Sequence, residues 1–100
     1  MTTRTLYRIC RNQAIELDYN GAWLSLHDGK AQTVSMAEAM TSLGTSEREN
    51  AMSAWLQKVD TLTDHMRRAV QHGDTKMCKK YRRQLTQMSR DLSTYNRGEK

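Results

Sequence analysis

The chain has 100 residues, of which 37% are hydrophobic and 27% charged, and it carries a net charge of +5. This composition excludes global disorder and fits one small folded domain over residues 1–100. No apolar run approaches the roughly 20 residues of a membrane span, and the first residues lack the apolar segment of a secretory signal. We therefore expect a cytoplasmic protein without a membrane partner.

Residues 5–34 alternate between apolar and polar side chains, which predicts an antiparallel meander of three or four strands. Between two such runs stands Asn20-Gly21, a pair that favours a two-residue hairpin turn because both positions tolerate positive φ. With that turn, one face of the sheet would carry three cross-strand pairs: Tyr19 with Ala22, Leu17 with Leu24, and Ile15 with Leu26.

Two further turns complete the predicted meander. Asp28-Gly29 predicts a second tight turn, so that a strand over residues 31–34 returns and places Val34 opposite Trp23. Trp23 would then point away from the face of the first hairpin, exposed and able to anchor a partner. At the other edge, a three-residue loop follows a strand over residues 5–10 and sets two pairs: Tyr7 with Leu17, and Ile9 with Ile15.

After the meander the apolar spacing becomes helical. A capping-box pattern begins at Ser35, and Gly44 is a natural helix stop. Together they assign residues 35–44 to a short helical segment, with the helix itself over residues 36–43. A second capping box, which begins at Ser46, opens a long helix.

The rest of the chain predicts an antiparallel helical hairpin over residues 46–96. In each helix the apolar residues recur at 3-4-3-4-3 spacing, which is the a/d pattern of a coiled-coil seam. The two seams are Met52, Trp55, Val59, Leu62, Met66 and Ala69, and Cys78, Tyr81, Leu85, Met88, Leu92 and Tyr95. The short break at Gly73-Asp74 makes the two helices neighbours. Leu56 and Val70 widen the first seam, as expected of a helix that also covers a sheet.

The net charge of the chain lies entirely in the last helix and its ends. Residues 72–100 contain eight basic and three acidic side chains, whereas residues 1–71 contain eight of each. With Cys78 at heptad position a, four basic residues fall at position f, the point farthest from the seam: Lys76, Arg83, Arg90 and Arg97. At about 1.5 Å rise per residue, they recur every ~10 Å along one edge.

These cations and their neighbours on the same helix are the predicted partner-binding residues. A solvated surface helix is the alternative, but the stretch from Lys76 through Arg90 contains no acid that could pair with them. A row of charges on a rigid helix suits an acidic protein surface, and the phosphates of nucleic acid are the second possibility. The full predicted set is Lys76, Lys79, Lys80, Arg82, Arg83, Arg90, Arg97 and Trp23.

Residue patterns typical of catalysis or metal binding are missing from the sequence. It has no HExxH, Walker loop or GxGxxG, and we predict no enzyme activity, no cofactor and no metal site. Cys10 and Cys78 form no CxxC pair and are expected to stay reduced. Glu16 and Asp18, two residues apart on a predicted strand, are expected to point into solvent.

The sequence therefore predicts an α+β fold and a non-enzymatic interaction protein. Its general features, namely 100 residues, one domain, many methionines and one charged face, resemble those of small accessory proteins of phages and other mobile elements. The basic edge, together with this resemblance, leads us to predict a protein that docks on a larger host macromolecule, such as a DNA- or RNA-processing complex, and modulates or inhibits it. Direct nucleic-acid binding through the basic helix is the alternative, and a homo-oligomer such as a homodimer, joined through the heptad seams, is the second alternative.

Overall fold

The computed structural model describes residues 5–10, 12–18 and 20–98 and has an α+β fold, as the sequence predicts. Four antiparallel strands form one sheet in chain order, and three helices follow. The elements are β1 (Thr5–Cys10), β2 (Gln13–Leu17), β3 (Trp23–His27), β4 (Lys30–Val34), α1 (Met36–Ser42), α2 (Thr45–Gln71) and α3 (Thr75–Asn96). The predicted meander, short helix and helical hairpin are confirmed.

The first β-hairpin folds with a register that differs from the predicted one. The observed β2–β3 pairs are Leu17 with Trp23, Glu16 with Leu24, Ile15 with Ser25, and Ala14 with Leu26. The predicted pairing of Leu17 with Leu24 is therefore wrong by one residue, and the pairing predicted for Tyr19 lies outside the described residues. Because side chains alternate along a strand, a shift of one residue moves every β3 side chain to the opposite face.

A longer turn between β2 and β3 explains the shift. The amide of Gly21 donates to the carbonyl of Asp18 over 3.1 Å, and the amide of Asp18 donates to the carbonyl of Ala22 over 3.0 Å. The Asp18 carboxylate also accepts from the amides of Asn20 and Ala22, each over 2.9 Å. Of the described residues in this turn, Gly21 alone has positive φ, at +87°, whereas the predicted two-residue turn requires it at Asn20 as well.

The shift places Trp23 in the core instead of on the surface. Trp23 is 1% exposed and lies on the same face of the sheet as Leu17. The prediction that Trp23 anchors a partner is therefore wrong, because its indole packs in one cluster with residues of all three helices. Leu24 and Leu26, which were expected on the face of Ile15, lie on the opposite face and are half-buried.

The second hairpin turn is confirmed. Asp28 and Gly29 have φ values of +50° and +79°, the positive values that a two-residue turn of this kind requires. Strands β3 and β4 then pair as predicted, with Trp23 opposite Val34. Val34 thus joins Trp23 on the core-facing side of the sheet, and both residues belong to the same apolar cluster.

The first strand also enters the sheet in a register different from the predicted one. The observed pairs are Thr5 with Leu17, Leu6 with Glu16, Tyr7 with Ile15, Arg8 with Ala14, and Cys10 with Gln13. Strand β2 begins inside the predicted three-residue loop, so that loop is wrong. An irregularity between Arg8 and Cys10 moves Ile9 out of its predicted pair with Ile15, and Ile9 is 36% exposed.

The core lies between one face of the sheet and the helices. Its buried residues are Ile15, Leu17, Trp23, Met36, Ala39, Met40, Leu43, Ala51, Trp55, Leu62 and Met88.

The two acids predicted to point into solvent do not do so. Glu16 lies on the face of the sheet opposite the core, but it is only 7% exposed, since β2 has a neighbouring strand on either side. The prediction for Asp18 is also wrong, because its carboxylate binds amides of the β2–β3 turn.

Helix α1 begins as predicted, whereas α2 does not. The Ser35 hydroxyl accepts from the amide of Glu38 over 3.1 Å, which confirms the first cap. The N-cap of α2 is Gly44, which has no side-chain hydrogen bond, so the predicted capping box at Ser46 is wrong. Gly44 has a φ of −70° and is not the left-handed stop expected for α1. Instead, the guanidinium of Arg48 donates to two carbonyls at the end of α1.

The antiparallel hairpin of α2 and α3 is confirmed. Gly73 has a φ of +70°, and the Asp74 carboxylate caps α3 by accepting from the amide of Met77 over 3.1 Å. The buried seam residues are Trp55, Leu62, Ala69 and Met88. The prediction that Leu56 and Val70 widen the contact of α2 with the sheet is wrong, since they are 52% and 61% exposed. Among the described helices, none is long and apolar enough to cross a bilayer.

We expect Gly21→Ala to destabilise the protein more than Gly29→Ala. Both glycines have positive φ, so an alanine costs about 1–2 kcal/mol at either position. A Cβ at Gly21 would also lie 2.6 Å from the sulfur of the buried Met88, whereas nothing lies within 4 Å of a Cβ at Gly29. Overpacking of this kind adds roughly 1 kcal/mol or more. Urea denaturation measures the difference, and equal losses of unfolding free energy in the two variants would contradict the tight contact.

Candidate functional site

Helix α3 holds the predicted cations on its solvent-facing side, which we call the basic face. All of them are exposed, and they are Lys76, Lys79, Lys80, Arg82, Arg83, Arg90 and Arg97. The opposite side of the helix packs into the core through Leu85, Met88 and Leu92. Because the helix is regular, Arg83 and Arg90 lie on one line about 10 Å apart.

Several cations of the basic face make no salt bridge with a described residue. Within the described part of the chain, no carboxylate pairs with Lys79, Arg82 or Arg83. Asp91, an acid on the same helix, instead accepts a hydrogen bond from the Gln87 amide over 3.0 Å. Exposed cations arranged in this way produce a positive potential that attracts anionic groups.

A cleft of about 630 Å³ lies between the basic face and the β2–β3 turn. Its lining consists of Asn20, Gly21, Ala22, Lys79, Arg82, Arg83, Gln84, Thr86, Gln87, Met88, Arg90 and Asp91. Four cations of the basic face therefore share this cleft with the side-chain amides of Asn20, Gln84 and Gln87. Amides both donate and accept hydrogen bonds, so the cleft can bind polar as well as anionic groups.

A hydrogen bond between Gln84 and Asn20 attaches the β2–β3 turn to α3. Nε2 of Gln84 donates to Oδ1 of Asn20 over 2.7 Å. Oε1 of Gln84 is buried and has no partner among the described residues. Beside this bond, Gly21 lies against Met88 at a distance that leaves no room for a Cβ. One amide pair and one tight apolar contact thus hold the turn on the helix.

A smaller depression, which we call the notch, combines apolar and cationic side chains where α2 meets α3. Its volume is about 230 Å³, and it is lined by Ala69, Val70, Gly73, Asp74, Thr75, Cys78, Lys79 and Arg82. Val70 is mostly exposed, and Cys78 is a free thiol that is half-buried. Lys79 and Arg82 also belong to the basic face, so the notch joins the basic face to an apolar surface.

The side chains of His27 and His65 make local contacts. Nδ1 of His27 lies 3.7 Å from a carboxylate oxygen of Asp28, and both side chains are exposed. The ring of His65 packs on the ring of Tyr81, with the centroids 5.4 Å apart. Among the described residues, no three His, Cys, Asp or Glu side chains are grouped so as to hold a metal ion. The side chain of Cys10 lies outside the described residues.

Comparison with protein-family models, with curated proteins and with solved structures finds no match to this chain. Sequence reasoning found the cations of the basic face but missed the cleft, because the cleft arises where residues 64 positions apart meet. It also missed the exposure of Leu56 and Val70. Both occupy heptad position e, beside the seam, and that position is a signal of an edge residue.

We expect Asn20→Ala to destabilise the protein more than Gln84→Leu. Without Asn20, the buried amide of Gln84 has no partner at either end, and an unsatisfied buried group costs about 1–3 kcal/mol. Gln84→Leu removes the buried polar group and leaves Asn20 able to bind water, so we expect a loss below about 1 kcal/mol. Urea denaturation measures the unfolding free energies of the two variants, and Asn20→Ala should have the lower value. The control is Asn20→Ala in the Gln84→Leu background, where the loss of unfolding free energy should be smaller than in the unchanged protein.

Proposed function

We propose that this chain is a non-enzymatic interaction protein that binds an acidic surface of a larger protein through its basic face. The main support is a set of exposed cations that make no salt bridge with described residues: Lys76, Lys79, Lys80, Arg82, Arg83 and Arg90. Such a protein can act by occupying an acidic groove, for example in a nucleic-acid-processing complex. In that position it would block or alter the path of the substrate.

The packing of α3 fixes the cations before any partner binds. The helix is capped by Asp74 at its start and packed through Leu85, Met88 and Leu92. Ordering a flexible basic segment would cost about 1–2 kcal/mol per residue for the backbone alone, and α3 avoids that cost. The attraction between opposite charges then accelerates the encounter with an acidic partner.

The spacing of the cations favours a protein partner. Lys76, Arg83 and Arg90 recur every seven residues, which corresponds to about 10 Å along the helix. Acidic residues placed seven apart on a partner helix have the same spacing, so each cation could face one carboxylate. Tyr81 and Tyr95 pack against the core and do not provide the stacking platforms typical of proteins that bind single-stranded nucleic acid.

A charge-reversal experiment tests this proposal. We expect Arg83→Glu/Arg90→Glu to lower the affinity for labelled poly-L-glutamate by about tenfold or more, because both side chains are exposed and face the anion directly. The matched control is Lys30→Glu/Arg68→Glu, which changes the net charge by the same amount at exposed positions away from the basic face. Fluorescence anisotropy at physiological ionic strength gives both affinities.

The two variants separate the effect of charge at the basic face from the effect of net charge on affinity. The control should lose less than about threefold in affinity, since distant exposed charges are largely screened. Equal losses in both variants would mean that the net charge alone governs binding, and the basic face would then not be the site. Unchanged binding in Arg83→Glu/Arg90→Glu would also overturn the proposal.

Direct binding of nucleic acid is the second candidate, and the cleft favours it. Four cations and three side-chain amides share the cleft, and these are the groups that contact phosphates and bases. This candidate predicts that the logarithm of the affinity for a DNA duplex falls linearly with the logarithm of the salt concentration, with a slope of about −0.9 per phosphate contact. A salt titration followed by anisotropy measures the slope, and a flat response would exclude this candidate.

A further inference from the structure

The helical hairpin is covered on one side and open on the other. On the covered side, Ala51 of α2 is fully buried and Gln84 of α3 is bonded to the β2–β3 turn. On the other side, which we call the open side, Leu56 and Val70 are each more than half exposed. The open side therefore presents apolar surface that the fold itself does not cover.

Leu56 and Val70 lie on one line along α2, which we call the stripe. They are fourteen residues apart, so they occupy the same heptad position about 21 Å apart. Thr63 lies midway between them, and its hydroxyl donates to the carbonyl of Val59 over 2.8 Å. Because that hydroxyl already donates to an acceptor within the helix, a partner can cover the stripe without leaving a buried donor that has no hydrogen-bond acceptor.

The two borders of the stripe differ in charge. Towards α3, the notch brings Val70 together with Lys79 and Arg82. Asp74, which caps α3, also lines the notch, so this border carries a net positive charge at its Val70 end. On the α2 border, Asp60 and Arg67 lie one helical turn from the stripe and carry opposite charges. A segment that binds along the stripe would therefore gain from acidic residues on one flank, the flank that faces α3.

We propose that the open side binds an amphipathic helix of the acidic partner, an inference that rests on the proposed function. The apolar face of that helix covers Leu56 and Val70, and one of its apolar side chains enters the notch. Its acidic flank faces Lys79 and Arg82. A helix in this position extends the two-helix seam to a three-helix arrangement, in which apolar residues beside the original seam become buried.

A second copy of this chain matches the open side poorly. Its own stripe has the same two borders, one cationic and one of mixed charge, so it offers no acidic flank to Lys79 and Arg82. Like charges at an interface oppose association, and each copy also carries a net charge of +5. An acidic helix supplies the complementary charge that a second copy lacks.

A synthetic peptide tests the inference. The probe is a helical peptide with leucines along one face and glutamates along one flank, and a second peptide has the same composition in scrambled order. We expect the protein to bind the amphipathic probe about tenfold or more tightly than the scrambled one, as measured by fluorescence anisotropy. Leu56→Gln/Val70→Gln should abolish that preference. The matched control, Ile9→Gln, changes an exposed apolar residue of the sheet and should retain it.

Folding of the variants is checked separately. Because Leu56 and Val70 are mostly exposed, circular dichroism and urea denaturation should show a folded double variant. Arg82→Glu tests the charged border of the stripe, since Arg82 is exposed and lines the notch. It should weaken binding of the amphipathic probe several-fold and leave the fold intact.

The outcomes distinguish this inference from the proposed function. If Arg83→Glu/Arg90→Glu weakens polyglutamate binding but Leu56→Gln/Val70→Gln leaves probe binding unchanged, the open side is not the site and the proposed function stands. Equal binding of the amphipathic and scrambled peptides overturns the inference in the same way. Self-association in sedimentation experiments that is lost in the double variant would assign the open side to a second copy and overturn it.

Discussion

The contact between the β2–β3 turn and α3 determines how the rest of the molecule is arranged. Gly21 has no side chain, so the buried Met88 can lie against the turn, and Asn20 accepts a hydrogen bond from Gln84 beside it. This contact ties the sheet to the helix that carries the charge. Because the sheet is attached to one side of the hairpin, the opposite side of both helices stays in solvent, and the basic face and the open side adjoin each other through the notch.

Clustering the charge on α3 does not help the chain to fold. Like charges on one helix repel each other, and a domain of 100 residues has little stability to spare. The seam residues Leu85 and Met88 hold α3 in place against that repulsion, while Arg83 and Arg90 lie on the far side of the helix. The packing of the core does not require this arrangement, and the proposed binding role would use it.

Patterns between near neighbours predicted the elements, whereas distant contacts decided which surfaces the elements expose. Heptad spacing and the break at Gly73-Asp74 depend on adjacent residues, and the hairpin and the basic face followed from them. The register of the first β-hairpin was wrong because the Asp18 side chain binds two turn amides and outweighs the Asn-Gly preference. Which side of the hairpin the sheet covers depends on contacts between residues far apart in the chain, such as the packing of Trp23 against the helices and the bond from Gln84 to Asn20, and no periodicity encodes those contacts.

The corrected register also changes how the proposed recognition would work. With Trp23 in the core, an apolar contribution to the proposed binding would come from α2, next to the cations of α3. Charge alone attracts many polyanions and is weakened by salt, so it discriminates little between partners. An apolar stripe beside the charges requires a partner to place its apolar groups opposite the stripe and its acidic groups opposite the cations at the same time. In the proposed complex, selectivity therefore arises from Val70 and Arg82 acting together, since each alone would accept a far wider range of partners.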